Sequence, residues 1–444
     1  MLVNTRKLIF SLIVLSGWNV AQAQEVWTLK QCIDTAQVHN KTLQINRNNI
    51  SISEQRKKEA QANLIPKVTA NADYKYFMEL PTQLMPMNAL NPQVPEGQFR
   101  DLQFGVPHNI NANVQLAMPL YSPQVYGAIQ STQIAKELTE LEFQKSEEQV
   151  LFDITTLYYN AQIIVHQLAF LDSNIANTEK LLKNMQLLKD QLLAKGSDVS
   201  KVKLQAEQLN TQRQNVNNKL IQVLNALKLN MGISLEQNIS VVSEIQQEVS
   251  LESNTRNVLD LKIIQKQNQL LHSDLKTLNQ SRFLPSLNLI ASYGTTGFGY
   301  DKKPNDFLKF YPIGFAGVQL SYPLFNGTVT QRKINQKKLE ITNNELQSKL
   351  ITEKNDMEVE NAIRQKTIAQ STITNTESQI ALAKTIYEQT VLQQKQGTAS
   401  LTDVLLADNA LREAQQNYLN AVIDFLKADL ELKKLTGTIT SIKN

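Results

Sequence analysis

The sequence predicts an α+β membrane protein: four amphipathic strands per chain that join a shared barrel, continued by long coiled-coil helices. Two observations carry that expectation. One structural unit occurs twice along the chain, and each copy holds two segments alternating apolar and polar with period two. A third observation narrows it, because beyond the N-terminus no stretch is long and apolar enough for a helical membrane span.

Residues 1–23 read as an export signal. Arg6 and Lys7 precede the apolar run Leu8 to Trp18, and Ala21-Gln22-Ala23 offers a small-x-small cleavage pattern. Without that segment 43 basic and 41 acidic residues remain, a near-neutral balance that argues against nucleic acid as a partner. One cysteine excludes an internal disulfide, so stability rests on packing or assembly.

The repeat is read from ordered matches. Val114-Gln115-Leu116-Ala117-Met118-Pro119-Leu120-Tyr121 aligns with Val318-Gln319-Leu320-Ser321-Tyr322-Pro323-Leu324-Phe325 at an offset of 204. Lys195-Gly196-Ser197 aligns with Gln396-Gly397-Thr398 at 201, and Met231-Gly232 with Thr436-Gly437 at 205. Leu64-Ile65-Pro66 precedes its counterpart near Leu284 by 219, so the first copy has 15 more residues between its strands; Pro81 to Pro107, rich in turn formers, reads as a loop. The copies are assigned to residues 24–232 and 255–437, with an inter-repeat linker at 233–254 and a tail at 438–444.

Each copy predicts a helix, two strands, a very long helix, a Gly turn and a return helix. Thr28 and Gln31 form a capping box that opens the first helix, expected to run to about Asn63. The long helices span about Pro123 to Lys195 and Thr328 to Gln396, and the return helices Ser200 to Met231 and Leu401 to Leu435. Leu411, Tyr418, Phe425 and Leu432 recur every seven residues, with Ala414, Ala421, Ala428 and Leu435 three positions later, which is a coiled-coil seam. A 70-residue helix rises roughly 105 Å. Two shorter helices end to end match that length, so the natural product is a hollow cylinder.

In the strands, Val68, Ala70, Ala72, Tyr74 and Tyr76 oppose Thr69, Asn71, Asp73 and Lys75; Ile110, Ala112, Val114, Leu116 and Met118 oppose Asn111, Asn113 and Gln115. Leu287, Leu289, Ala291 and Tyr293 oppose Asn288 and Ser292, and Val318, Leu320, Tyr322 and Leu324 oppose Gln319 and Ser321. A half-buried soluble sheet shows the same alternation, but helices with narrow seams offer it no broad apolar cover. Four strands cannot close, and an open edge cannot be left in hydrocarbon. Two, three or four copies would each satisfy that constraint.

These features resemble the TolC-like outer membrane efflux protein family over the whole mature chain. The resemblance is carried by Leu29, Ala36 and Asn40, by Pro119-Leu120-Tyr121 and Pro323-Leu324-Phe325-Asn326-Gly327, and by the segment Gln396 to Leu405 with Ala407. It implies a homotrimer in outer-membrane lipid, with a 12-stranded β-barrel continued by a periplasmic helical barrel. Such a trimer would be the exit duct of a tripartite efflux or type I secretion system, working with a periplasmic membrane-fusion adaptor and an inner-membrane RND or ABC-type transporter. It also implies adaptor docking at Gly196, Ser197, Gly397, Thr398 and Leu401, and a pore-lining acid at Asp403. Ala399 and Leu406 depart from the family's arginine and second aspartate, and Val202 is aligned opposite Asp403. Asp408 is expected to project away from Asp403.

The alternative is a periplasmic coiled-coil adaptor or scaffold, which would normally carry a small β-domain between its arms. An enzyme finds no convergent site. His39, His108, His166 and His272 lack ligand spacing, so no metal and no cofactor is expected. Cys32 reads as a seam residue, Gly294, Gly297 and Gly299 as residues in or beside a loop, and Gly196 and Gly397 as helix C-caps.

Overall fold

The computed structural model describes residues 25–89, 93, 95–245, 259–304 and 306–439. The expected signal segment, part of the linker and the last residues of the tail lie outside the described residues. In chain order the elements are β1 (Glu25–Trp27), α1 (Leu29–His39), α2 (Lys41–Ala62), β2 (Lys67–Tyr76), β3 (Thr82–Pro86), β4 (Phe99–Gln103), β5 (His108–Tyr121) and α3 (Pro123–Asp190). There follow α4 (Gly196–Met231), β6 (Ile239–Val241), α5 (Leu259–Phe283), β7 (Ser286–Tyr300), β8 (Phe307–Ser321), α6 (Val329–Lys395) and α7 (Leu401–Leu435). Among the described residues no helix is long and apolar enough to cross a membrane.

The chain divides into two compact units. One comprises residues 50–139 and 264–347 and contains the main sheet. Its strand order is β2-β5-β7-β8, antiparallel throughout. The register places Val68, Leu116, Ala291 and Ala316 in one row across the four strands, and Thr69, Gln115, Ser292 and Phe315 in the next. One face is therefore apolar from edge to edge, and it is open: Val68 is 63% and Leu320 66% exposed. β2 and β8 each pair on one side only among the described residues.

Two sequence expectations change here. Pro81 to Pro107 is not simply a loop, because β3 and β4 form a small antiparallel hairpin within it, Thr82 opposite Gln103 and Pro86 opposite Phe99. β7 also continues through Gly294, Gly297 and Gly299 to Tyr300, well past the expected loop. A Cβ at Gly297 would come within 2.6 Å of the Phe310 ring on β8, so this glycine makes room for a cross-strand aromatic.

The other unit comprises residues up to Asn49, 140–263 and 348–444. Its largest core gathers Cys32, Ile33, Ala36, Leu43, Ile154, Ala161, Leu227 and Met231. The parallel pair β1–β6 lies beside it, and the hydroxyl of Tyr158 donates to the carbonyl of Trp27 at 3.0 Å. Further along, Ile163, Val422, Phe425 and Leu426 form a second cluster, and Leu171, Leu209 and Val216 a third. Leu411, Ala414, Ala421, Phe425 and Ala428 of the heptad seam are all buried. The seams are narrow, as coiled-coil contacts require.

The first helix departs from its expected span. Thr28 and Gln31 do form the capping box, with Thr28 N–H donating to Gln31 Oε1 at 2.9 Å and Gln31 N–H to Thr28 Oγ1 at 3.2 Å. The helix then breaks at Asn40, whose ψ of 125° is extended. Asn40 offers the chain an alternative to continuing: its carbonyl Oδ1 accepts from Leu43 N–H at 3.0 Å, and its Nδ2 donates to Asn230 O at 2.6 Å. The break packs against the end of α4, where Gly232 adopts φ +76°.

Gly232 and Gly397 have nearly equal positive φ but different surroundings, which separates backbone strain from crowding. A Cβ at Gly232 would lie 2.1 Å from His39 O, whereas one at Gly397 meets nothing within 4 Å. Gly397→Ala should cost about 1 kcal/mol, the left-handed penalty alone. Gly232→Ala should cost about 3 kcal/mol or more, because backbone must also move. Thermal denaturation of the two purified variants checks this; equal losses would refute it.

Candidate functional site: the helical turns and their acidic neighbours

Both long helices end in the same hydrogen-bonded turn. At the end of α6, Gly397 N–H donates to Gln394 O at 3.1 Å and Thr398 N–H to Gln393 O at 2.9 Å, a Schellman motif with Gly397 at φ +77°. At the end of α3, Leu192 N–H donates to Lys189 O at 2.9 Å and Leu193 N–H to Leu188 O at 2.8 Å, with Leu192 at φ +61°. The residue in the glycine position of the first turn is therefore a leucine.

This corrects the expected role of Gly196. It is not a C-cap but the first residue of α4, following the extended Lys195. The turns at Leu192 and Gly397 are 205 residues apart, as are Gly232 and Gly437 at the next helix ends, both with positive φ. In that register Asp198, rather than Val202, stands opposite Asp403, each in the first turn of its helix. The sequence match of Lys195-Gly196-Ser197 to Gln396-Gly397-Thr398 aligned two glycines that play different roles.

A shared core brings the two turns together. Leu181 and Met185 of α3, Val202 of α4, and Leu401 and Val404 of α7 form one cluster, flanked by Tyr387 and Val391 of α6. Leu401 is buried in it, so the expected docking position is removed from the protomer's surface. Gly196, Ser197, Gly397 and Thr398 remain exposed. The most exposed apolar groups at this end are instead Leu192 and Leu193, at 93% and 72%, with Leu392 and Leu406 exposed as well. Two adjacent leucines just past the last seam position were the available sequence signal.

Asp403 is exposed and holds the start of α7. Its Oδ2 accepts from Ser400 N–H at 2.8 Å and from Ser400 Oγ–H at 2.7 Å, while its own N–H donates to Ser400 Oγ at 3.2 Å. This capping box keeps the carboxyl below the usual carboxylate range, chiefly through the Ser400 hydroxyl. Asp198 has no such box; Lys201 Nζ lies 3.6 Å from it.

Asp408, expected to project away from Asp403, is buried where Asp403 is exposed. It is 4% exposed, accepts from Gln205 Nε2 of α4 at 2.5 Å, and pairs with Arg412 at 3.2 Å. Burial pushes its carboxyl up, and Arg412 and Gln205 oppose that shift. Further along α7 a second buried group, Asp429, sits between Lys366 of α6 at 2.8 Å and Lys433 at 3.0 Å. These charges fasten α7 to its neighbours. Cys32 is fully buried, and its thiol is pushed up to about 12, which makes it an inert core residue. His166 contacts Ser243 O at 2.7 Å, and His108 contacts Tyr74 Oη at 2.8 Å within the sheet. Among the described residues no group of three His, Cys, Asp or Glu is placed to hold a metal.

The chain is similar to the outer membrane protein VceC of Vibrio cholerae, with a TM-score of 0.70 at 16% identity, over 92% of this chain and 96% of that one. It is similar to the outer membrane channel CmeC of Campylobacter jejuni, with a TM-score of 0.71 at 14% identity, over 92% and 85%. The open-state outer membrane channel MtrE of Neisseria gonorrhoeae gives 0.67 at 14% identity, over 92% and 88%. No curated protein matches the chain in sequence. Residues 272–438 match the family model described as outer membrane efflux protein. The fold is thus that of outer-membrane channel proteins. Through its second half the chain is similar to the outer membrane efflux protein family.

Two outcomes test the turn. Leu192→Gly should raise stability by about 0.5–1 kcal/mol, since an exposed leucine held at positive φ is replaced by the residue that tolerates it. Arg412→Met strips the partner from a buried carboxylate and should cost about 3 kcal/mol near neutral pH. Asp408 has a raised folded-state pKa, so the folded state binds the extra proton and stability falls as pH rises from the unfolded value, about 4, through the folded one. The Arg412→Met defect should therefore shrink toward acid. Melting curves from pH 4 to 8 check the sign.

Proposed function

We propose that three copies of this chain form the exit duct of a tripartite efflux or type I secretion system, with a 12-stranded β-barrel in the outer membrane and a periplasmic helical barrel. The observation that carries the proposal is the sheet. Four strands with one apolar face and two unpaired edges cannot stand alone in hydrocarbon, where each unpaired backbone group costs several kcal/mol. Pairing β8 of one copy with β2 of the next removes every edge. Twelve strands exceed the eight of the smallest membrane barrels.

The helices support the same assembly. Leu339, Leu346, Leu350, Met357, Ile368 and Leu382 lie exposed along α6, with steps of four, seven, eleven and fourteen. Val38, Ile45 and Ile52 are exposed at steps of seven along α1 and α2. Such heptad-spaced seams call for partner helices, and a second copy supplies them. Resemblance to the outer membrane efflux protein family supports three among the stoichiometries that close the sheet.

In this reading Gly196, Ser197, Gly397 and Thr398, with Leu192 and Leu193 now added, form the periplasmic tip that receives a membrane-fusion adaptor coupled to an RND or ABC-type inner-membrane pump. Leu401 acts from beneath by packing the two turns together. Asp403 lines the pore: threefold symmetry brings three of these ionised carboxylates around one axis, where they favour cations.

In detergent the protein should have about three times the 50.2 kDa chain mass by native mass spectrometry; a monodisperse monomer would defeat the proposal. In planar bilayers, Asp403→Asn should reduce cation preference, while Asp403→Glu should retain it. Unchanged selectivity in Asp403→Asn would leave Asp403 with its capping role alone.

A further inference from the structure

The polar face of the sheet is uneven. On β2 and β5 it carries Asp73, Lys75, Asn109 and Asn111, as a water-filled lumen requires. On β8 the same face, from the β7–β8 turn inward, carries Phe307, Lys309, Tyr311, Ile313 and Phe315, all exposed, with Lys309 in the row of Asn109 and Tyr311 in the row of Asn111. Aromatic rings line the part of the lumen face nearest the outer mouth, where hydration of so much apolar surface is costly.

The β3–β4 hairpin emerges at the same end of the strands, since it follows β2 and precedes β5. Cross-strand register puts Leu84, Pro86 and Phe99 on one of its faces. Met85 and Leu102, on the other face, are half-buried, but Leu84 is 72% and Phe99 60% exposed. That face also holds Asp101, opposite Leu84, and the Thr82–Gln103 pair, so the hairpin presents an apolar patch of Leu84 and Phe99 that its own protomer leaves exposed.

We propose that this face docks on a second copy of the chain: Leu84 and Phe99 of each hairpin rest on the aromatic lumen face of the partner's β8 and narrow the outer mouth. The inference rests on the trimeric-barrel reading and deepens it. Strand order selects the partner. Within one protomer β5 and β7 separate β2 from β8, whereas barrel closure sets each β2 directly beside the next copy's β8. The hairpin that grows from β2 therefore leaves the sheet next to the partner subunit's Tyr311 and Phe315. Two exposed apolar surfaces, each without cover in the protomer, are brought to one boundary. The length the first copy has beyond the second is what spans it.

Cysteine cross-linking decides this. In a Cys32→Ala background, chains carrying Phe99→Cys and Tyr311→Cys together are oxidised in outer-membrane extracts and run without reductant. The expected result is conversion of the monomer band to a covalent trimer, and to a mixed dimer when two differently tagged single-cysteine chains are co-expressed. Native mass is measured on the same samples. A trimer that forms no cross-link, or only the intramolecular one, overturns the docking while leaving the barrel intact; a monomer overturns both. Leu84→Ser/Phe99→Ser should raise single-channel conductance, and unchanged conductance in a correctly assembled trimer also counts against the docking.

Discussion

Backbone hydrogen bonding in a medium without water is the constraint on which this protein depends. A strand edge in hydrocarbon has no partner to fall back on, so a four-stranded sheet is an unfinished object. Its edges on β2 and β8, open among the described residues, are matched by an apolar face exposed on those two strands. Strands of 14 and 15 residues in β5, β7 and β8 are longer than a tilted span needs, which leaves pairing beyond the apolar band.

The helices face the opposite problem. In the proposed duct they stand in water, where a solid bundle would close the passage. Narrow seams resolve this, because each helix buries one stripe and leaves glutamine, asparagine, lysine and threonine outside. Much of the specificity then comes from buried polar groups: Asn40 on Asn230, Asp408 on Gln205 and Arg412, Asp429 between two lysines. Each is costly to separate, since its neighbour would be left buried and unpaired. Such groups fix where one helix meets the next, which apolar contacts alone do loosely.

The two turns show how function and strain meet. Gly397 takes its left-handed conformation at no steric cost, while Leu192 holds the equivalent conformation as a large exposed side chain. A leucine retained there, against the backbone's preference and without burial, is consistent with a surface that another protein covers. Asp403 is likewise used twice, as a cap for α7 and, in the proposed assembly, as a pore charge.

Much of the architecture was determined by the sequence alone. Period-two alternation placed the strands and heptad spacing placed the seams, because side-chain direction follows backbone period directly. The capping box at Thr28 and Gln31 was equally local. What only the tertiary structure decided depends on contacts remote in sequence or on φ. The break at Asn40 comes from a bond to Asn230, far along the chain. The extension of β7 through its glycines follows from its registers with β5 and β8. The burial of Leu401 and Asp408 depends on which face of α7 meets α3 and α4. The turn register went astray because glycine was used as the marker of a left-handed turn; the chain placed a leucine in one such turn, and a residue's name does not reveal a dihedral angle that the surrounding packing imposes.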